Sequence, residues 1–418
     1  MSVAETDAAA REILRANDRG RYTVPTDILY PFQWNWDSAF AAWGFASFDV
    51  PRAWVELETL LSHQWENGMV PHMIFHEEAP GYFPGPGVWG VKRSPPTSGI
   101  TQPPVAATLA RSILVADPDY GRPHMEAIFD KLLRWHRWFM TERAEQGMIA
   151  VTHPWETGRD NAADWDAAMA RVDTSGVGSY KRRDLEEVAA EQRPTKAEYD
   201  QYLAMVYFGR DCGWDETEIR ANGPFRVADV GMTFILLRAC RDLLVLAQEF
   251  GRPTDEIAGW IETLEQGARN HWNPAGYYDS VDLRTGAFTN APGSASCLCW
   301  YAGVDDARML ERLGRFRSAV RYTVPSLDPS HPGFAPTRYW RGPVWVVMNA
   351  LVGAGLAEMG YVGMAERVRS DTANVITRSG FYEYFSPLDG APAGGGRFTW
   401  TAAVWLAWAS PHAKGRMI

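Results

Sequence analysis

Apolar residues recur at helical spacing along most of the chain, and this periodicity limits the possible folds more than any other feature. Short and long loops alternate between the helical segments, so the helices group into pairs. Strand signals are scarce, and Tyr277 to Asp279 is the clearest candidate for a short strand. The predicted helices span residues 5–17, 38–48, 53–67, 103–117, 124–146, 198–209, 225–250, 254–271, 304–314, 342–359, 362–377 and 400–409.

Paired helices can close into a ring or stack into an open solenoid. An open solenoid is built from self-similar repeats, whereas the helix pairs here, spaced by roughly 40–60 residues, share no strict repeat. We therefore predict an all-α fold, an (α/α)6 barrel in which helical hairpins form a closed toroid. Residues 1–418 would form a single catalytic domain, since one large barrel can reach this length.

Two long segments are candidates for a cap over one end of this toroid. Residues 68–104 form an irregular loop rich in Gly and Pro, and residues 170–200 are polar and charged. Loops of this length inside a compact domain are usually functional. We predict that both segments close over a shallow pocket at that end. The alternative for residues 170–200 is a solvated surface excursion.

The charge balance argues against a nucleic-acid partner. The net charge is −10 and the chain has no basic block, whereas binding to nucleic acids depends on clustered Lys and Arg. No apolar run of about 18 residues predicts a membrane span, and the N-terminal residues lack the pattern of a secretion signal. We expect a cytoplasmic enzyme without membrane contact. The sequence does not reveal the oligomeric state.

Two matches to ligand-binding motifs do not withstand inspection. Residues 85–90 match GxGxxG, but no strand precedes them, and Ser94-Pro95-Pro96 follows where a helix is required. His72 and His76 stand four residues apart, but the HExxH order of a zinc-binding helix is missing. We therefore expect neither a dinucleotide cofactor nor a metal ion.

The stretch from residue 153 to 161 concentrates polar groups that are costly to bury. It places two carboxylates, a guanidinium and an indole around Gly158, where apolar periodicity stops. Each buried charge must find a partner. The residues alone leave two interpretations of Asp160. It is either a proton-handling group at the bottom of a pocket or, with Asn161, the cap of a helix through Met169.

Aromatic residues indicate a surface that binds flat ligands. The chain contains 19 tryptophans, and an excess of this amphipathic residue often marks surfaces that stack on sugars, although many must fill the core. Asp37 stands beside two indoles at the start of a predicted helix. It is either the helix cap or an acceptor for sugar hydroxyls.

A second carboxylate, Glu383, lies among aromatic residues of the segment 380–390. An apolar neighbourhood raises a carboxyl pKa by disfavouring the charged form, unless the side chain points to water from a surface strand. Two carboxylates about 6.5–9.5 Å apart, with room for a water, perform inverting glycoside hydrolysis. Serine hydrolase chemistry is less favoured, because the sequence has no G-x-S-x-G elbow.

At these residues the chain resembles glycoside hydrolase family 63, and within it the bacterial mannosylglycerate and glucosylglycerate hydrolases, whose α/α toroid is shared with family 37 trehalases. The resemblance covers essentially the whole length, and its motifs are specific in combination. The matching segments are Gln33 to Asp37, Thr97 to Pro104, Trp155 to Asn161, Tyr339 to Trp345, and Glu383 with Thr399 to Ala403.

The resemblance implies an inverting α-glycosidase with Asp160 as general acid and Glu383 as general base. It makes Glu156 a structural or orienting acid. The residues expected to line the sugar subsite are Tyr30, Trp34, Trp36, Asp37, Gln102, Trp340 and Trp345, and those expected to hold the aglycone are Tyr82 and Tyr202. His72, Gly158, Arg159, Tyr339 and Arg341 complete the expected substrate-binding set.

One segment departs from the family pattern. Glycerate-cleaving relatives carry polar residues, typically glutamine, shortly before the closing Ser/Thr-Trp-Thr-Ala-Ala, whereas this chain has Gly394 to Phe398. The Phe398 side chain cannot hydrogen-bond glycerate. Arg397 is the expected substitute, since arginine binds carboxylates bidentately.

The expected substrate is therefore a small α-linked glycoside, with α-mannosyl- or α-glucosyl-glycerate, a compatible solute, as the best candidate. The alternatives are an α-glucosidase or trehalase-type disaccharidase and a non-catalytic sugar-binding protein on the same fold.

Overall fold

The structure, a computed structural model, describes residues 2–27 and 29–413. In chain order its α-helices are α1 (Val3–Asn17), α2 (Asn35–Phe45), α3 (Val50–Ser62), α4 (Pro86–Trp89), α5 (Ala106–Ala116), α6 (Pro118–Trp138), α7 (Asp166–Met169), α8 (Asp184–Glu187), α9 (Lys196–Asp211), α10 (Glu216–Asn222), α11 (Val230–Glu249), α12 (Asp255–Asn270), α13 (Ala307–Ala319), α14 (Val346–Glu358), α15 (Val362–Ser379) and α16 (Thr399–Val404). Single 3-10 turns lie at Pro154–Thr157, Ala163–Trp165, Ala190–Gln192 and Ser296–Cys299, and π-helical turns at Phe139–Arg143 and Trp405–Ala409.

The strands are short. In chain order they are β1 (Gln33–Trp34), β2 (Met73–Ile74), β3 (Ala144–Glu145), β4 (Met148–Val151), β5 (Val227–Ala228), β6 (Trp272–Asn273), β7 (Tyr277–Tyr278), β8 (Val281–Asp282), β9 (Ala287–Phe288), β10 (Tyr382–Phe385) and β11 (Pro392–Gly396).

Within the described residues, six helical segments form the inside of a closed ring. The series runs α2, α5, α11, the 3-10 turn Ser296–Cys299, α14 and α16, and α16 packs back against α2. Every residue of α2 is buried, as are all but the last two of α14. A helix that is apolar on all sides is stable only in the interior, so these helices must be surrounded.

Amphipathic helices cover the outside of this ring. α3, α6, α12 and α15 each pack against the inner helix that precedes them, and α13 reaches the ring through β7. α1 packs against α16, so the two ends of the chain close the toroid. The predicted all-α barrel of helical hairpins is confirmed.

Capping residues explain where the observed helix starts differ from the predicted ones. The first helix begins two residues earlier than predicted, because Ser2 and Glu5 form a capping box in which each side chain bonds the other's backbone N–H. The helix predicted from residue 124 begins at Pro118. The Asp117 carboxylate there accepts a hydrogen bond from the Tyr120 backbone at 3.2 Å.

The short sheets went largely unpredicted. Antiparallel pairing joins five strands in the order β3-β4-β5-β8-β9. Strands of two to four residues are too short for an alternating apolar pattern to be recognised. The strand expected at Tyr277 is present as β7, which pairs with β6.

The described part of the chain contains no helix that is both long enough and apolar enough to cross a membrane. It also contains no cluster of three or more His, Cys, Asp or Glu side chains with the placement of a metal site.

Candidate active site

A pocket of about 920 Å³, counted with its open mouth, lies at the N-terminal ends of α2, α5, α14 and α16. Segments that precede or begin these inner helices supply most of its wall. The predicted site residues that line it are Tyr30, Trp34, Trp36, Asp37, His72, Tyr82, Gln102, Gly158, Asp160, Tyr202, Tyr339 and Glu383.

Asp160 reaches the pocket because the chain turns sharply just before it. The 3-10 turn Pro154–Thr157 ends at Gly158, whose φ is +68°. A Cβ atom at Gly158 would lie 2.4 Å from the Trp36 ring, so only glycine fits this close approach. The Tyr202 hydroxyl donates to the Asp160 backbone carbonyl at 2.8 Å, which holds the turn in place.

The helix-cap interpretation of Asp160 is wrong. The first helical turn after Asp160 is the 3-10 turn Ala163–Trp165, and α7 follows it directly. No side chain caps either of them. Asn161 instead accepts a hydrogen bond from the Trp340 backbone N–H at 2.9 Å. The Asp160 carboxyl is therefore left to face the pocket, where it accepts a hydrogen bond from the Tyr339 hydroxyl at 3.4 Å.

The surroundings of Asp160 favour its protonated form. Burial raises the pKa of Asp160 from its ordinary value to about 7; the Arg193 guanidinium opposes this rise and the Glu383 carboxylate adds to it. A carboxyl with such a pKa carries a proton in a large share of molecules near neutrality. It can therefore donate that proton to a ligand.

Glu383 lies on β10 and is 1% exposed. The Tyr30 hydroxyl donates to its Oε1 at 3.1 Å, and the Gly395 backbone N–H donates to its Oε2 at 3.1 Å. Arg193 Nη1 approaches Oε2 at 3.4 Å. Burial raises the pKa of Glu383, and Arg193, Gly395 and Tyr30 limit the rise because they stabilise the carboxylate. The surface-strand alternative for Glu383 is wrong.

Asp37 is a third carboxyl in the same pocket. It lies in the first turn of α2, and its side chain makes no capping hydrogen bond, so the cap interpretation is wrong here too. Burial raises the pKa of Asp37 well above its ordinary value, and the nearby Glu383 and Asp160 add to the rise. Trp34 and Trp36 line the same pocket, and a carboxyl oxygen together with flat apolar faces is a combination suited to a sugar ring.

Glu156 does not reach the pocket, yet it supports the turn that carries Asp160. Its carboxylate accepts hydrogen bonds from both terminal nitrogens of Arg143 at 3.0 Å and from the Thr152 backbone N–H at 2.8 Å. Arg143 and Glu156 are both buried. These hydrogen bonds hold the Glu156 carboxylate in place, which fits the expectation of a structural or orienting acid.

The structure places several predicted residues behind the pocket rather than in its wall. Trp340 and Trp345 are buried and stack on each other at 3.8 Å, and Trp345 also stacks on Tyr384 at 4.5 Å. Trp36 meets Trp340 at 6.3 Å between ring centres. These two tryptophans therefore pack behind the wall and do not line the pocket.

Three predicted arginines bind carboxylates of the protein itself. Arg159 pairs with Asp164 and Asp229 and lies over the Trp165 ring. Arg341 pairs with Asp166 and Glu198, outside the lining. Both arginines are buried, and a buried cation requires acidic partners of this kind.

Arg397, the third, is not in position for the role expected of it. Its side chain is 52% exposed, lies outside the pocket lining, and pairs with Glu12 on the outer surface at 3.3 Å. The next residue, Phe398, lines the pocket instead. The expectation that Arg397 meets a substrate carboxylate is therefore wrong.

The buried cation of the site is Arg193, which the sequence did not single out. It comes from the charged segment 170–200 and is 5% exposed. Its guanidinium donates to Asp184 at 3.0 Å and to the Tyr30 hydroxyl at 2.7 Å, besides contacting Glu383. No local pattern separates Arg193 from its neighbouring arginines, because two of these partners are remote in sequence.

Other lining residues were also missed. They are Pro25, Leu29, Met73, Phe83, Pro84, Trp155, Arg183, Asp184, Pro194, Tyr199, Phe398 and Trp400. Trp155 and Trp400 lie inside motifs that the sequence did highlight, so proximity to those motifs was a usable signal for them. The segment 170–200 was predicted as a cap, but no motif marked its individual lining residues, since its charges are typical of a solvated surface.

Comparison with known proteins shows the family. A model described as the mannosylglycerate hydrolase MGH1-like glycoside hydrolase domain matches residues 30–401. The chain belongs to this family. It is a glycoside hydrolase, and the resemblance to family 63 is confirmed.

Relatives of this glycoside hydrolase match it over nearly its whole length. Mannosylglycerate hydrolase MGH1 of Selaginella moellendorffii is 46% identical, over 96% of this chain and 84% of the relative. The glucosylglycerate hydrolase of Mycolicibacterium hassiacum is 36% identical, over 97% of this chain and 98% of the relative. The crystal structure of GH63 mannosylglycerate hydrolase from Thermus thermophilus with Tris and D-glycerate has a TM-score of 0.94 at 42% identity, covering 96% of this chain and 99% of that one.

Proposed function

We propose that this glycoside hydrolase cleaves α-mannosyl- or α-glucosyl-glycerate with inversion at the anomeric carbon. The observation that carries the proposal is one pocket that contains a readily protonated Asp160, a buried Glu383 held by hydrogen-bond donors, and a buried arginine beside them. The names of the relatives support the same substrates.

The two carboxyls would perform the two proton transfers of an inverting hydrolysis. Protonated Asp160 donates its proton to the glycosidic oxygen as the bond from that oxygen to the anomeric carbon breaks. Ionised Glu383 accepts a proton from a water whose oxygen forms the new bond to that carbon from the opposite face. The products are the free sugar, released as its β-anomer, and glycerate.

The sugar would lie against Trp34 and Trp36, with Asp37 and Gln102 binding its hydroxyls. Indole faces match the apolar faces of a pyranose ring, and the polar atoms between them fix its orientation. Gln102 is itself oriented, since its Oε1 accepts a hydrogen bond from the Trp36 backbone N–H at 3.3 Å.

The aglycone would be an anion because the pocket contains the buried guanidinium of Arg193. Arginine binds a carboxylate through charge-assisted hydrogen bonds, as the carboxylate of glycerate requires. Tyr82, Tyr199 and Tyr202 line the pocket around this position. Arg193 thus takes the role that the sequence assigned to Arg397.

Both long segments would act as the cap of a single catalytic domain spanning residues 1–418. Residues 68–104 contribute His72, Tyr82 and Gln102 to the wall, and residues 170–200 contribute Asp184 and Arg193. With walls on these sides the pocket has room for a short glycoside and excludes long polysaccharides.

A substrate panel tests the proposal. Purified enzyme would be assayed with α-mannosylglycerate, α-glucosylglycerate, α-glucosylglycerol, trehalose and kojibiose at equal concentrations. We expect kcat/KM to be highest for one of the two glycerates, and proton NMR of the first product to show the β-anomer. Preference for trehalose or kojibiose would replace the proposal with a disaccharidase, and initial release of the α-anomer would exclude inversion.

A further inference from the structure

The guanidinium of Arg193 contacts Glu383 and two tyrosines that hydrogen-bond to Glu383 or Asp160. Its Nη1 lies 3.4 Å from Glu383 Oε2, and its Nη2 donates at 2.7 Å to the Tyr30 hydroxyl, which itself donates to Glu383 Oε1 at 3.1 Å. The guanidinium also lies over the Tyr339 ring at 4.3 Å, and the Tyr339 hydroxyl donates to Asp160. The contact with Glu383 is therefore direct, and the contact with Asp160 passes through a tyrosine.

The position of Arg193 is fixed by the segment that carries it. The neighbouring Gln192 joins both strands of the β10–β11 hairpin, since its backbone carbonyl accepts from the Tyr384 hydroxyl at 2.6 Å and its Oε1 accepts from the Gly394 N–H at 3.0 Å. Asp184 binds Arg193 Nε from the other side. The hairpin that carries Glu383 and the segment that carries Arg193 are thus docked together.

Several titratable groups face Glu383 from the elements around it. They are Tyr30 before α2, Asp37 in α2, Asp160 after the Pro154–Thr157 turn, Asp184 and Arg193 in the segment 170–200, Tyr339 before α14, and Tyr384 on β10. The carboxyls in this set favour a protonated Glu383, and the Arg193 cation opposes them at hydrogen-bonding distance.

We propose that Arg193 is a positioning residue that determines which of the two carboxyls carries the proton: its direct contact keeps Glu383 as the carboxylate, and its indirect contact leaves Asp160 as the acid. The inference deepens the proposed function and rests on it, because it takes Glu383 as the base. It adds a second task to the binding of an anionic aglycone, and this task is needed for every substrate.

The proposal fixes the sign of a pH effect. A general base works only when ionised, so kcat/KM falls as the pH drops through the pKa of the base in the free enzyme. An opposite charge within 4–6 Å lowers a carboxyl pKa by about 1–3 units. Without the Arg193 charge, the acidic limb of the pH profile should therefore move to higher pH.

An α-glycosyl fluoride isolates this effect from substrate binding. Fluoride leaves without a proton from an acid, and the substrate has no carboxylate for Arg193 to hold. We expect the acidic limb for hydrolysis of α-mannosyl or α-glucosyl fluoride to move upward by about one unit or more in Arg193→Gln. Arg193→Lys, which keeps a positive charge, should restore most of the wild-type position.

Arg182→Gln is the matched control. Arg182 lies in the same segment, is buried, and also pairs with Asp184, but it binds the Pro194 carbonyl and contacts neither Glu383 nor Tyr30. Arg182→Gln can change the rate by disturbing the whole segment. The quantity compared is therefore the pH of the acidic limb, which should match that of the wild type. Gln192→Ala is a milder second variant, usable if Arg193→Gln does not fold, and should move the limb in the same direction by less.

The outcomes separate this inference from the proposed function. The inference is overturned if folded Arg193→Gln keeps its acidic limb at the wild-type pH. If Arg193→Gln does not fold, the same result in Gln192→Ala overturns it. The proposed function survives that result if Glu383→Gln has lost hydrolysis of the fluoride. Wild-type hydrolysis of the fluoride by Glu383→Gln would instead remove the proposed base, and the inference with it.

Discussion

Asp160 and Glu383 share a pocket but differ in what surrounds their oxygens. Asp160 receives one long hydrogen bond, from Tyr339, and is partly exposed to the pocket. Glu383 is buried and receives hydrogen bonds from Tyr30 and from the Gly395 backbone, beside the Arg193 charge. Two carboxyls whose surroundings separate their proton affinities can act as an acid and a base at the same pH.

Asp160→Asn should affect substrates according to their leaving group. Loss of a general acid costs about 10²–10⁴-fold when the leaving oxygen needs a proton, as glycerate does. Fluoride needs none, so the variant should keep most of its turnover of an α-glycosyl fluoride. Steady-state rates with both substrates measure the difference, and equal losses for the two would contradict the assignment. Glu383→Gln is the control and should lose both activities.

Glycoside hydrolysis should decline as the pH rises above about 7. The acid must carry its proton, and Asp160, with a pKa raised to about 7, loses it in this range. The alkaline limb of kcat/KM should therefore fall near pH 7 for a glycosylglycerate and be absent for a glycosyl fluoride. An identical alkaline limb for both substrates would show that another group titrates.

Individual site residues were predictable where a motif placed them near the end of an inner helix. Trp34, Trp36 and Asp37 belong to one such motif, and all three line the pocket. Trp345 belongs to another, yet it packs behind the wall, because a motif does not show which side of the backbone faces the cavity. Arg193 could not be found at all, since its contacts with Tyr30 and Glu383 exist only in the folded ring.

The β10–β11 hairpin, which carries Glu383, depends on glycine at one position of its second strand. A Cβ atom on Gly394 would lie 2.3 Å from Glu383 Oε2, and the φ of Gly394 is +72°. The backbone there must be close enough for the following N–H, of Gly395, to bind the carboxylate. The glycines at residues 394–396 thus allow the main chain to lie against the proposed base.

Gly394→Ala should therefore displace Glu383 and lower kcat. Misplacement of a catalytic group by about 1 Å can cost about 10²-fold. Gly396→Ala is the matched control in the same strand, because its Cβ would meet only the Tyr382 ring at 3.5 Å and its φ is not positive. Kinetics of both variants, with melting curves to confirm folding, measure the effect. Comparable kcat values for the two would contradict the close-approach argument.

Apolar periodicity predicted which segments form helices better than it predicted where each helix begins and ends. The long helix α11 was expected to start at residue 225 but starts at Val230, because Asp229 caps it through the Met232 N–H at 2.6 Å. Residues 225–229 form β5 and its flanks instead. A cap of this kind leaves the apolar pattern upstream unchanged, so the pattern alone runs past the true start.

The ring as a whole explains why distant segments form one site. Inner helices α2, α5, α14 and α16 present their N-terminal ends to the pocket. Segments more than 300 residues apart in sequence, such as the loop that carries Tyr30 and the strand that carries Glu383, therefore meet there. The pairing of helices predicted the ring. It could not predict which side chains meet, because that depends on the rotation of each helix about its own axis.

Closure of the ring depends on contacts between the two ends of the chain. Asp7 in α1 accepts hydrogen bonds from Trp405 Nε1 at 2.7 Å and from the Ser410 hydroxyl at 2.9 Å, and its other oxygen lies 2.8 Å from His412 Nδ1. Asp7 and Trp405 are buried. One carboxylate thereby joins the first helix to the last turn.

Asp7→Ala should therefore destabilise the whole molecule without altering the chemistry. It leaves the buried Trp405 N–H and Ser410 hydroxyl without their acceptor, at a cost of about 1–3 kcal/mol for an unsatisfied buried group. Glu12→Ala on the same helix is the control, since its pair with Arg397 is exposed and contributes little. Urea unfolding should show a lower midpoint for Asp7→Ala alone, with kcat of the folded enzyme unchanged. Equal midpoints for the two variants would mean that the ends close the ring through apolar packing of α1 on α16, without need of the carboxylate.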